Sequence, residues 1–209
     1  MITAYNQISA RGLDRIGGLS DGVFAIAMTL IVLEIRVPDP GPIHSDAELW
    51  VALTTLAPRI VTYLLSFLTL GIFWSGQQTQ LNHIREADRH LAWIYIGFLA
   101  GVAIMPFSTS LLAEFISFQL ALVLYWANIA LLGGILYGAW AYAIRNGLLK
   151  ADAPPGVQGI VKRRILVAQA LYAFGALLSF VGTGWSIAWI VLVQLNFAIA
   201  PRIPRLSRI

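Results

Sequence analysis

The sequence of 209 residues contains no cysteine, and only 11% of its side chains are charged. The first absence excludes disulfides, thiol nucleophiles and thiolate metal sites. The second leaves too few polar groups to cover a soluble globule, whose charged share usually runs near ~25%. A phosphate-binding glycine loop, a Gly-x-Ser-x-Gly elbow, a His-Glu-x-x-His pair and a dinucleotide fingerprint are also missing. No catalytic residue is therefore expected. What the chain has instead is grease: 58% hydrophobic residues and a mean hydropathy of +0.76. Its solvent must be partly lipid. The net charge is +4, and twelve of the fourteen basic residues are arginine. They sit in short clusters between apolar runs, a pattern suited to an anionic membrane surface and not to nucleic acid.

A membrane-crossing helix needs about 20 mostly apolar residues. That ruler predicts an all-α, polytopic fold with one domain over 1–209 and six transmembrane helices, at about 17–37, 50–75, 91–113, 117–144, 162–181 and 184–201. Arg11 and Arg15 before the first run resemble a signal peptide, but Glu34-Ile-Arg-Val-Pro-Asp39 follows without a small-residue cleavage pattern. The first run is therefore expected to be a retained helix. Pro38-Asp-Pro-Gly-Pro42 and Ala153-Pro-Pro-Gly156 mark turns, not domain linkers. Gly97-x-x-x-Gly101 and Gly134-x-x-x-Gly138 are patterns that let helices approach closely.

Loop charge predicts orientation. Arg11 and Arg15 precede the first span, Arg85 and Arg89 lie between the second and third, and Arg145, Lys150, Lys162, Arg163 and Arg164 lie between the fourth and fifth. Arg202, Arg205 and Arg208 end the chain, whereas the alternate loops carry Asp39, Asp46, Glu48 and Glu114, with Arg36 and Arg59 at helix ends. The positive-inside rule then puts both termini in the cytoplasm. An even number of spans agrees, since it puts both termini on one side.

Ionisable groups inside a span face a bundle interior, a water-filled path or each other. Asp21 opens the first span, where it reads either as a helix-start device with Ser20 or as part of a polar knot with Ser20 and Arg15. Glu34 closes the span, as a solvated partner of Arg36 or as the edge of an acidic outer vestibule with Asp39, Asp46 and Glu48. The amides Gln119, Asn128, Gln169, Gln194 and Asn196 suit interhelical hydrogen bonds. Between the two acids, Gly22, Ile26, Thr29, Leu30 and Leu33 share one helical face. Taken alone, such a face reads as packing more readily than as a pore wall. His83, Glu86 and His90 stand at i, i+3 and i+7 and would suit zinc on one helix. Their charged loop setting speaks for solvated side chains, and no metal is expected.

Arg15-x-x-x-Leu19-Ser20-Asp21, followed by Gly-Val-Phe-Ala-Ile-Ala-Met-Thr-Leu-Ile-Val-Leu-Glu34, resembles the first helix of the transmembrane protein 175 family of potassium channels. Phe73-Trp74, Ala87-Asp88-Arg89 and Pro106-Phe107 through Glu114 resemble that family as well. The resemblance implies one six-helix unit per chain and a homotetramer in the bilayer whose first helices line a central potassium pathway. By position it assigns the apolar constriction to Ile26, Leu30 and Leu33, a cation-preference layer to Thr29, and a cytoplasmic signature network to Arg15, Ser20 and Asp21. Three residues depart from the family pattern: Leu19 replaces Phe, Gln77 stands where His is frequent, and Tyr95 where Asn is frequent. The function expected is a potassium-preferring cation channel in the cell membrane, with no cofactor beyond the permeant ion. A proton-coupled secondary transporter using Asp21 is the alternative, and a membrane enzyme or a non-conducting scaffold is more remote.

Overall fold

The computed structural model describes residues 12–199. Arg11, Arg202, Arg205 and Arg208, which carry part of the orientation argument, lie outside the described residues. Among the described residues, seven α-helices follow one another: α1 Leu13–Leu30, α2 Asp46–Thr54, α3 Ala57–His83, α4 Arg89–Glu114, α5 Gln119–Arg145, α6 Val157–Leu178 and α7 Thr183–Ile199. A single 3-10 turn, Ile31–Glu34, extends α1. No strand occurs among the described residues; one antiparallel bridge, Ile84 to Leu149, joins the loops after α3 and α5.

Among the described residues, four segments are long and apolar enough to cross a membrane: Leu13–Glu34, α3, α4 and α5. They overlap the first four expected spans. The remaining two expected spans are helices too. However, α6 begins at Val157 and takes Lys162, Arg163 and Arg164 into its first turns, and α7 is shorter. The second span differs from expectation in both bounds. The chain turns at Thr55 and Leu56 because Pro58 has no N–H to offer the carbonyl of Thr54, so α2 stops and α3 begins anew. At its other end α3 runs on to His83, since the polar stretch from Ser75 stays helical and buries Gln77 and Gln80.

Local chemistry sets several other ends. Ser45 caps α2 by accepting from the Glu48 N–H at 3.3 Å, while the Glu48 carboxylate takes the His44 N–H at 2.6 Å. Asp88 caps α4 through the Leu91 N–H at 2.8 Å and with its other oxygen accepts the Tyr142 hydroxyl, fastening α4 to α5. Gly147 ends α5 with φ of 65°, a conformation that favours glycine.

α4 and α5 form the centre of the bundle. Tyr95, Phe98, Val102 and Met105 of α4 and Tyr125, Ile129, Leu132 and Trp140 of α5 are fully enclosed. In lipid, apolar burial drives association little, so close packing and interhelical hydrogen bonds carry the specificity, each bond contributing about 0.6 kcal/mol on average. Such bonds cross the middle of this bundle. Thr109 of α4 donates to Ser66 of α3 at 2.6 Å, Ser66 to Tyr125 of α5 at 3.2 Å, and Gln194 of α7 to Thr69 of α3 at 2.6 Å. Asn128 donates to Ser108 at 3.1 Å, Gln119 to Ser179 at 3.3 Å and Gln169 to the Ile129 carbonyl at 3.5 Å. Asn196 makes no such bond among the described residues.

Candidate functional site

α1 is greasy on both faces, but only one is covered. Ser20, Phe24, Ala27 and Ile31, at i, i+4, i+7 and i+11, are buried against α3 and α4. Phe24 sets its ring centroid 6.0 Å from that of Phe98, which also meets Phe73 at 6.2 Å. The opposite stripe is largely uncovered among the described residues: Ile26 is 60%, Leu30 45% and Leu33 68% exposed, and Gly22 and Thr29 are open as well. All five residues expected on one face therefore lie on one open face.

The 3-10 turn alters that stripe. An α-helix sets residues i and i+3 about 60° apart, whereas a 3-10 helix stacks them in line. Winding Ile31–Glu34 as 3-10 brings Leu33 over Leu30 while Ile31 stays enclosed. Beside them, the Thr29 hydroxyl lies 3.0 Å from the Ala25 carbonyl and 2.9 Å from that of Ile26, so its single proton is committed inward. What Thr29 presents outward is oxygen lone pairs, which suit a cation.

Near the N-terminal end of α1, α3 supplies three donors. Gln77 gives an amide hydrogen to the Ser20 hydroxyl at 2.9 Å, both side chains being fully buried. The Trp74 indole and the Gln78 amide both donate to Oδ1 of Asp21, at 2.8 and 2.9 Å. Ser20 and Asp21 thus bind α3, while Arg15 is exposed and joins neither of them among the described residues. The knot expected from Arg15, Ser20 and Asp21 is instead a seam between two of those residues and α3. Trp74 and Gln78 were not assigned from sequence; their spacing of four around Gln77, at the end of an apolar run, was the available signal. Tyr95, the other departure, is enclosed and donates to Gln80 at 3.2 Å, whose amide reaches the Leu136 carbonyl at 3.0 Å.

At the other end of the segment, the Glu34 carboxylate accepts from Ser110 of α4 at 2.9 Å and makes no ion pair with Arg36 among the described residues. Arg59 of α3 donates to the Glu34 main-chain carbonyl at 3.1 Å and to Glu114 at 2.5 Å. These partners border a pocket of about 360 Å³ that also includes Arg36 and Phe107.

The His83, Glu86 and His90 group does not form on one helix. His83 ends α3, Glu86 lies in the turn paired with Arg85, and His90 begins α4 with its ring 6.4 Å from that of Tyr142. No cluster of three metal-ligating side chains occurs among the described residues.

A sequence model described as the endosomal/lysosomal potassium channel TMEM175 matches residues 15–106, which include α1, its seam with α3 and Arg59. A potassium channel of Streptomyces collinus is 33% identical over 148 residues, covering 67% of this chain and 70% of its own. The human endosomal/lysosomal proton channel TMEM175 is 28% identical over 179 residues; the match takes in 81% of this chain but 36% of that one. Among solved structures, the lysosomal potassium-selective channel TMEM175 homolog from Chamaesiphon minutus superposes with a TM-score of 0.76 at 25% identity, covering 90% of this chain and 97% of that one.

Proposed function

The chain belongs to the TMEM175 family of ion channels, and from that premise we propose that it is a potassium-preferring cation channel: a homotetramer whose pathway is lined by α1. The observation that carries the reading is the uncovered stripe of Ile26, Leu30 and Leu33 on a helix whose other face is fully packed. One such helix cannot enclose a pore; copies arranged around a symmetry axis can, and each then covers the apolar face its own subunit leaves bare. The proposed topology has six crossings with both termini in the cytoplasm, α6 and α7 supplying the last two, in a cell membrane.

The three side chains form stacked apolar rings in this assembly. A narrow apolar ring stops ions when it dewets and passes them when it widens. Thr29 adds a ring of outward lone pairs beside Ile26, and Glu34 adds negative charge at the outer edge. Arg15, Ser20 and Asp21 belong to the cytoplasmic end, where Ser20 and Asp21 hold α1 in register with α3. Selectivity is modest, because no carbonyl cage replaces the hydration shell. The test is flux of potassium, sodium and protons into liposomes containing purified protein. Potassium flux exceeds sodium flux in the wild type and rises in Leu30→Ala and Leu30→Ser; no potassium flux from any of the three defeats the reading. Saturable, gradient-driven uptake abolished by Asp21→Asn would instead establish the transporter.

A further inference from the structure

We propose that Arg59 is a positioning residue of the permeation pathway: it sets Leu33 by holding the main-chain carbonyl of Glu34. The proposal rests on the channel reading above and adds to it a residue on a different helix that never faces the ion.

A helix ends with carbonyls that have no N–H partner, and a 3-10 turn is the weaker winding and frays readily. α1 ends in such a turn, and that turn carries Leu33. Beyond it, the Arg36 N–H donates to the Glu34 carbonyl at 3.1 Å, but Val37 is 91% exposed and the chain enters Pro38-Asp-Pro-Gly-Pro42, so that one tight turn is the main-chain support from downstream. Arg59 adds the link to the helices behind. Its guanidinium has donors in a planar fork: Nη1 donates to the second lone pair of the Glu34 carbonyl at 3.1 Å, and Nη2 donates to Glu114 of α4 at 2.5 Å. One side chain thereby ties the end of α1 to both helices behind it. Ser110 holds the Glu34 carboxylate separately at 2.9 Å. The charged groups around the turn are thus Glu34 and Arg36 beside it, Arg59 from α3 and Glu114 from α4.

Lysine has a single compact ammonium and cannot reproduce the fork, so Arg59→Lys tests the geometry while keeping the charge. The chain has no cysteine, and a spin label on Val37→Cys reports order at the end of α1 without background. Losing one charge-assisted hydrogen bond shifts the ordered turn by roughly tenfold in population. The label is therefore expected to become more mobile in Arg59→Ala and Arg59→Lys, and the potassium-to-sodium flux ratio to fall by up to about tenfold. Glu34→Gln keeps the carbonyl and should leave the label as immobile as in the wild type. If Arg59→Ala does not assemble, Arg59→Lys decides alone. Unchanged mobility and flux ratio in a folded Arg59 variant overturn the proposal, as does mobilisation by Glu34→Gln. A wild type that conducts no potassium defeats the channel reading, while label mobility still decides whether Arg59 holds the turn.

Discussion

The Trp74 indole N–H lies 2.8 Å from Oδ1 of Asp21, and the same oxygen accepts from Gln78 at 2.9 Å, so a single carboxylate oxygen joins α1 to two residues one turn apart on α3. Asp21→Ala removes both bonds and Trp74→Phe removes one. The site is partly exposed, which keeps each bond to a charged acceptor near ~1 kcal/mol or less. The melting temperature of Trp74→Phe in detergent should drop by about 2–4 °C, and that of Asp21→Ala by more.

One turn of geometry separates that exposed seam from a buried one. Ser20→Ala strips the Gln77 amide of its acceptor inside the bundle, where Gln77 Oε1 already lacks a partner. The loss should reach about 1–3 kcal/mol, because a buried amide left unpaired bears its full desolvation cost. Thermal unfolding that ranks Ser20→Ala as milder than Trp74→Phe would contradict this account.

Thr29→Val keeps the shape of the side chain and deletes its outward oxygen. Potassium-over-sodium preference should fall by about fivefold, the worth of one modest polar contact. Thr29→Ser, which retains the oxygen, should stay near the wild-type ratio. Paired flux measurements in liposomes decide.

A cysteine-free chain makes proximity directly measurable. In the proposed tetramer Leu33→Cys should give disulfide-linked dimers on mild oxidation, since the ring sets neighbouring subunits side by side. Leu120→Cys is exposed to a similar degree, 69% against 68%, but lies on α5 and should remain monomeric on non-reducing gels.

Adjacent glycines in α5 should respond to a different degree. A Cβ on Gly133 would lie 1.9 Å from the Gln169 amide nitrogen, whereas nothing lies within 4 Å of one on Gly134. Gly133→Ala should displace the flexible Gln169 side chain and its 3.5 Å bond to the Ile129 carbonyl, offsetting the helix preference for alanine by about 1 kcal/mol or less. Gly134→Ala should be neutral or gain up to ~1 kcal/mol. Melting curves of the two variants, run in parallel, read the difference.

These residues also mark what the sequence made legible. Periodicity put Ile26, Thr29, Leu30 and Leu33 on one face, and that is where they lie, because spacing within one helix needs no tertiary information. It could not say that the face is uncovered, which depends on where α3 and α4 pack. The small-residue patterns were only partly informative. Gly101 does admit Leu132 closely, but a Cβ on Gly97, Gly134 or Gly138 would meet nothing. The close approach at Gly133 carried no pattern at all. Arg59 looked like a cation beside a helix end, since its partner Glu114 is 55 positions away. Ser20 and Gln77, 57 positions apart, are equally mute until the helices are assembled. The break before α3 was written locally in Pro58, yet a ruler that counts only apolar residues passes over a missing N–H.

The two fastenings of α1 have a mechanical consequence. Trp74, Gln77 and Gln78 rivet its lower end to α3, and Arg59 and Ser110 bolt its upper end to α3 and α4. A beam held at both supports does not swing like a door. In the proposed tetramer, widening the aperture then means tilting or rotating each whole subunit, so a stimulus arriving on the outer body of the bundle would have leverage on the proposed gate.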